Sequence, residues 1–217
     1  MIHPRFDRLA RHYVWIEAVT FGRSLQRCRA ALIGELTDAR RALILGEGDG
    51  RFVVAFLKAN PEVVVDVVDA SPAMIALARR RVAAHPEMLG RVRWHVADAR
   101  QFEPPAVYDL IVTNFFLDCF PVEQLEPLIA RYVECLTHDG RWLVGDFAQP
   151  EPKARRLAAR AALALMYLCF TLLTRIPAGS LADPGPILRA HGFTARHEVR
   201  QLGGFLLASL WRRADPA

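Results

Sequence analysis

Apolar and polar positions follow two periods along this chain, and the switches between them mark out its elements. Over 5–38 the apolar residues fall at helical spacing. Phe6, Leu9, Ala10 and Tyr13 share one face, Leu25, Cys28, Leu32 and Leu36 another, with a break near Gly22. An apolar run over 42–45 then meets three glycines two apart, Gly46, Gly48 and Gly50, before Phe52, Val53, Ala55 and Phe56 resume helical spacing. That order predicts a buried strand, a tight turn and a helix over 50–59, closed by Asn60-Pro61. The stretch VVVDVV over 63–68 predicts a second strand, buried on both faces. Ser71-Pro72 is an N-cap followed by proline in the first helical position, opening a helix over 72–84.

Further strands are predicted over 92–96, 108–113 and 141–145. A helix over 122–136 precedes the last of these and ends in a turn at His138-Asp139-Gly140. Strands alternating with helices in this way predict an α/β, Rossmann-like doubly wound sheet, mostly parallel. Beyond it the pattern changes. A long helix over 151–174 becomes almost wholly apolar, a proline- and glycine-rich connector covers 177–186, and a short helix covers 187–191. Two strands over 193–199 and 205–212, separated by Gly203-Gly204, predict an antiparallel C-terminal hairpin at the sheet edge.

Composition narrows the function. The chain has 217 residues, 53% of them hydrophobic, enough for one α/β domain with a full core. Its formal charge is +5, but all except two of its 28 basic residues are arginines scattered without a basic block, so no nucleic-acid partner is expected. Cys28, Cys119, Cys135 and Cys169 show no metal-ligand spacing and sit in apolar settings. They predict no metal site and buried thiols in a reducing cytoplasm. The opening MIHPRFDRLARHY has no apolar leader core, and the apolar run over 161–173 is shorter than the ~20 residues a membrane span needs.

In a doubly wound sheet the ligand lies at the carboxyl ends of the strands. Residues 46–50, Asp69, Asp98, Asn114 and Asp146 fall there. Glycines at this spacing let a ligand approach bare main chain at a helix N-terminus. An acidic residue closing the second strand suits ribose hydroxyls; Asp69 can also cap the next helix, a role for which Ser71 is already placed. Asp98 suits an adenine amino group with Ala99 offering an N–H, a reading preferred to that of a plain turn aspartate.

Taken together, LILGEGDG, VVDASPAMIALAR, VADARQF, YDLIVTNFFLD and GRWLVGDF resemble the class I S-adenosylmethionine-dependent methyltransferases over about residues 42–147. SPAMIALAR and FDRLARHY point to their small-molecule, quinone-biosynthesis-like branch. The resemblance implies S-adenosyl-L-methionine as cofactor. Gly46, Gly48 and Gly50 would pass under its methionine part, Asp69 and Ala70 would lie at the ribose, and Asp98 and Ala99 at the adenine. Asn114 and Phe115 would line the methyl-transfer face. It also implies one domain over 1–217, comprising a helical N-terminal lid (1–40, with Tyr13 over the cofactor or simply in the core), a cofactor-binding core (42–147), and an apolar helix with the hairpin (151–217). One departure stands out. The family's usual acidic residue two before the first glycine is Ile44 here, and Glu47 and Asp49 are the candidates to replace it beside the methionine ammonium.

Methyl transfer relies mainly on proximity and desolvation, and needs a base only for an un-ionised acceptor. The candidates are Asp118, His12 and Tyr13; Asp118 reads also as a helix cap. The apolar segment 161–173, flanked by Arg155, Arg156, Arg160 and Arg175, reads as a core or homodimer helix. It reads equally as a wall over a hydrophobic, quinone-, phenol- or lipid-like small-molecule acceptor, with peripheral membrane contact through 155–175. The competing expectation is a repurposed, non-catalytic Rossmann module that binds a nucleoside ligand, with Ile44 as its mark. A nicotinamide oxidoreductase fits less well, because no Tyr-x-x-x-Lys pair is present.

Overall fold

The computed structural model describes residues 23–148 and 183–214. The expectations for 5–22, 151–174 and 177–182, together with His12, Tyr13 and Cys169, lie outside the described residues. The first described helix is α1, Ser24–Ala30, which presents Leu25, Cys28 and Arg29 to the interior. A 3₁₀ turn follows at Ile33–Leu36, so this part of the predicted helical stretch is interrupted. Five strand units then build the sheet: β1 (Arg41–Leu45), β2 (Val64–Asp69), β3 (Val92–Val96), β4 (Tyr108–Asn114) and β5 (Leu136–Phe147). Helices α2 (Arg51–Ala59), α3 (Pro72–Ala83) and α4 (Val122–Val133) connect them. After α5 (Gly185–Ala190) the chain ends in β6 (Phe193–Gln201) and β7 (Leu206–Arg213).

The sheet order is β3-β2-β1-β4-β5-β7-β6. Strands β1 to β5 run parallel, and β7 lies antiparallel between β5 and β6. The expected doubly wound sheet and terminal hairpin are therefore both present. Strand alternation sorts the core onto two faces. Ile44, Val65, Val67, Val112 and Leu143 pack against α1 and α2 through Leu25, Cys28, Phe52 and Phe56. Leu43, Leu45, Val68, Ile111 and Val144 pack against α4 through Leu125, Leu128, Ile129 and Tyr132. Each such fully buried side chain contributes about 1.5–3 kcal/mol of apolar transfer. Ile44 is thus a core residue, 1% exposed, and an acid there would bury a charge in the α1–α2 cluster.

Two expectations need correction. Helix α4 stops at Val133, and β5 begins at Leu136, not at residue 141. Leu136 is drawn into the sheet opposite Tyr108, while the next register pair is Leu110 with Arg141. Residues 137–140 are therefore a bulge in the strand, and the expected turn at His138-Asp139-Gly140 does not separate helix from strand. A side chain at Gly140 would meet the Leu136 side chain at 2.3 Å.

Strand β2 also carries a fully buried carboxylate, Asp66. Tyr108 Oη donates to it at 3.1 Å, His95 Nε2 lies at 2.8 Å and Arg41 at 3.6 Å. Buried charge persists only when paired, and this network pairs it with side chains from β1, β3 and β4.

Candidate active site

Strand order reverses beside β1, because β2 and β3 lie to one side and β4 and β5 to the other. That switch point is where the carboxyl ends part and a crevice opens. The glycine turn between β1 and α2 forms its floor. Gly48 has φ +73° and Gly50 φ +86°, the left-handed region that only glycine occupies without cost. A side chain on Gly50 would also meet the Ala78 main chain of α3 at 2.7 Å, whereas one on Gly48 would meet nothing within 4 Å. Gly50 therefore serves packing, and Gly48 is the glycine open to a ligand. At Gly46 the main chain is covered by the Phe116 ring, which a Cβ would meet at 2.2 Å.

The two loop carboxylates are already engaged. Glu47 is 7% exposed, and its Oε1 accepts from the N–H groups of Phe52 and Val53, each at 3.1 Å. It stands in for the side-chain cap that Gly50, at the N-cap of α2, cannot supply. Burial pushes the Glu47 carboxyl up to about 8, against the N–H bonds and the nearby Arg29, which pull it down. Asp49 accepts from Arg51 Nε at 2.7 Å and Arg81 Nη2 at 2.9 Å. Its carbonyl accepts from Arg81 Nε as well, so Asp49 ties the glycine turn to α3.

At the end of β2, Asp69 Oδ2 accepts from Gly48 N–H at 3.1 Å and Oδ1 from Ser71 N–H at 2.9 Å. Ser71 Oγ takes the Met74 N–H and so provides the cap of α3. Burial raises Asp69 to about 6, partly offset by those two N–H bonds. Ala70 is half-buried beside it. Asp98, after β3, is held by Arg100 through Nε at 3.0 Å and Nη2 at 2.5 Å, and this bond keeps its carboxyl below the usual range. Ala99 is buried, and its carbonyl accepts from Tyr132 Oη at 2.7 Å.

The other side of the crevice is aromatic and acidic. Phe115, at φ +52°, follows Asn114 at the end of β4. Its ring stacks at a tilt on Phe147, 5.1 Å between centroids, and Phe147 on Phe205 at 5.4 Å; Phe116 meets Phe120 edge-on at 5.0 Å. Asn114 is 7% exposed and lies across Gly145, and neither of its amide atoms has a partner. Asp118 sits in the 3₁₀ turn Leu117–Cys119, which packs against β5. Burial raises its carboxyl to about 6. Asp146, 6% exposed, is pushed far above the carboxylate range by burial and then by the Asp118 charge. His12 and Tyr13 fall outside the described residues.

Arg29 escaped the sequence reading. It is 6% exposed and its guanidinium lies 5.2 Å over the Phe115 ring. Its signal was an arginine four residues after Leu25, on the apolar stripe of a helix. Phe116 against Gly46 left no signal at all, since the contact joins two separate loops. Among the described residues no group of three or more His, Cys, Asp or Glu side chains is placed to hold a metal ion, and no helix is long and apolar enough to cross a membrane.

Residues 42–140 match the family described as "Methyltransferase domain". Polyamine aminopropyltransferase 2 of Bacillus cereus is 32% identical over 126 residues, covering 52% of this chain and 33% of that protein. Trans-aconitate 2-methyltransferase of a Mycobacterium species, strain KMS, is 33% identical over 126 residues, covering 56% and 45%. The chain thus spans less than half the length of these curated relatives. Among solved structures, the apo S-adenosylmethionine-dependent methyltransferase SibL superposes with a TM-score of 0.69 at 26% identity, covering 88% of this chain and 55% of that one.

Proposed function

We infer, from the match of residues 42–140 to a methyltransferase domain, that the protein transfers a methyl group from S-adenosyl-L-methionine to a small acceptor with a hydrophobic body. The observation that carries the reading is Asp69. It closes β2 beside a glycine turn whose Gly48 faces open space. A carboxylate there, steadied by Gly48 and Ser71 N–H groups, is built to accept from a ribose diol. The strand order supports the rest of the assignment. A ligand laid from β3 to β4 would meet Asp98 and Ala99 at its adenine end, Asp69 and Ala70 at the ribose, and Gly46 and Gly48 beneath the methionine. Of these two glycines Gly48 is the open one, since the Phe116 ring covers Gly46; Asn114, with Phe115, would come last. The bound cofactor would supply an electrophilic methyl; the chain's part is to orient it, exclude water and hold the acceptor in line.

The acceptor reading rests on two aromatic groups near the ends of β4 and β5, Phe115, Phe147 and Phe205 on the α1–α2 face and Phe116 with Phe120 on the α4 face. They suit a quinone-, phenol- or lipid-like body. The two relatives act, by their names, on a polyamine and on trans-aconitate, and neither is adopted as the acceptor here.

Calorimetry with S-adenosylmethionine, S-adenosylhomocysteine and NAD tests the reading. Micromolar binding of the first two is expected, with at least a tenfold loss in Asp69→Asn, from one charge-assisted bond of about 1.5–3 kcal/mol. Absence of sulfonium binding at millimolar concentration would overturn it. One observation favours a second reading, a nucleoside-binding module without catalysis. Ile44 is locked in the core and the carboxylates of Glu47 and Asp49 are spent on structure. Tight binding of S-adenosylhomocysteine with no turnover on any acceptor would favour that alternative.

A further inference from the structure

Among the described residues the other buried acids are ion-paired or doubly hydrogen-bonded. Asp49 has two arginines, Asp66 has His95, Tyr108 and Arg41, and Glu47 takes two helix N–H groups. Asp146, which is buried, and Asp118, half-buried beside it, are less well provided. Among the described residues no arginine, lysine or histidine forms an ion pair with either. Asp146 Oδ1 takes the N–H of its neighbour Phe147, at 2.8 Å, the carboxyl also takes the Asp118 N–H, and its Oδ2 is buried with no partner. The one side-chain contact to Asp118 is the weak donor Cys119 Sγ, at 3.6 Å from Oδ1. A third carboxylate, Asp183, adds its charge to the same place. Burying like charges together is costly unless one carboxyl keeps its proton or a cation joins them.

A separate observation points the same way. Asn114, on the strand next to Asp146, is more than nine-tenths buried, lies across Gly145, and leaves both its carbonyl oxygen and its amide nitrogen without a bond. Unmade bonds of this kind cost about 1–3 kcal/mol each, and at strand ends facing the crevice they call for a ligand. Phe116 and Phe120 bracket the turn that carries Asp118, so the missing partner is a cation carried on an apolar body.

We propose that Asp118 and Asp146, with Asn114 beside them, form a recognition site for an ammonium group on the acceptor, so that the substrate class is an apolar amine. The proposal rests on the methyl-transfer reading, since it takes the ends of β4 and β5 as the acceptor side. The ammonium's donors would be taken by Asp146 Oδ2 and the Asp118 carboxylate, and its charge would favour the ionised form of both. The phenylalanines would hold the remainder and add cation–π attraction. A neutral alcohol of the same shape satisfies fewer acceptors and brings no charge to favour their ionised form.

The test is binding, which needs no knowledge of the natural acceptor. Phenethylamine and octylamine, with their alcohol counterparts phenethyl alcohol and octanol, are titrated into the full chain saturated with S-adenosylhomocysteine. The amines should bind at least tenfold more tightly than the alcohols. Asp146→Asn and Asp118→Asn, which keep the side-chain shape, should each reduce amine affinity by about 10- to 100-fold and leave S-adenosylhomocysteine affinity within twofold. Alcohols bound as tightly as amines, or amine affinity unchanged in both folded variants, would overturn the proposal. Failure of S-adenosylhomocysteine to bind the unmodified chain would instead overturn the methyl-transfer reading. Amine titration without it then still decides whether the acidic site exists.

Discussion

Replacing Glu47 by glutamine should flatten the protein's response to pH. The substitution keeps the volume and keeps an oxygen to accept from Phe52 and Val53 N–H; what it deletes is the titration. In the folded chain burial raises the Glu47 carboxyl from an ordinary 4.5 to about 8. Between those values the folded state keeps a proton that the unfolded state has shed. Stability therefore falls as pH rises through that window, by about 1.4 kcal/mol per pH unit. From about pH 5 to about pH 7.5 the Glu47 contribution alone is about 3 kcal/mol, or roughly 6–12 °C in Tm for a chain of this size. Asp69 and Asp118 slope the same way in both proteins, so the difference between the two melting curves isolates residue 47. Differential scanning calorimetry of the cofactor-free proteins at half-unit pH steps reads it. Near pH 5 the two should melt together, since a protonated glutamate is close to isosteric with glutamine, and E47Q should become progressively the more stable above about pH 6. Parallel curves across the window would refute the reasoning, and would mean that the helix N–H groups and Arg29 hold the carboxylate charged.

Two further perturbations separate packing from binding. Gly50→Ala forces a left-handed residue and a 2.7 Å approach to the Ala78 main chain. It should cost about 2–5 kcal/mol, read as a lower urea midpoint with the slope unchanged. Asp66→Ala leaves Tyr108 and His95 without their shared acceptor and should cost about 3–5 kcal/mol; a loss under ~1 kcal/mol in the same urea assay would show that the network contributes little net stability.

The fold was legible because its signals are local. The apolar run, the glycine spacing and the Ser71-Pro72 cap each lie within a few residues, and the structure carries β1, α2, β2 and α3 within one or two residues of where they were expected. The α4–β5 junction misled because a helical pattern running to residue 136 competes with strand pairing. Leu136 fits the helix by spacing but gains more by joining Tyr108 in the sheet and the α4-side core.

By itself, then, the sequence determined the class of fold, the strand-end position of residues 46–50, Asp69, Asp98, Asn114 and Asp146, and the departure at Ile44. Tertiary structure decided what each charge does there. Asp49 meets Arg81, 32 residues on, only because α3 packs on the glycine turn. Glu47 turns inward because Gly50 leaves α2 uncapped. Asp118 and Asp146, 28 residues apart in the chain, become neighbours because β4 and β5 pair. A carboxylate's role depends on burial and on which donors surround it, and both are fixed by contacts between segments distant in the chain.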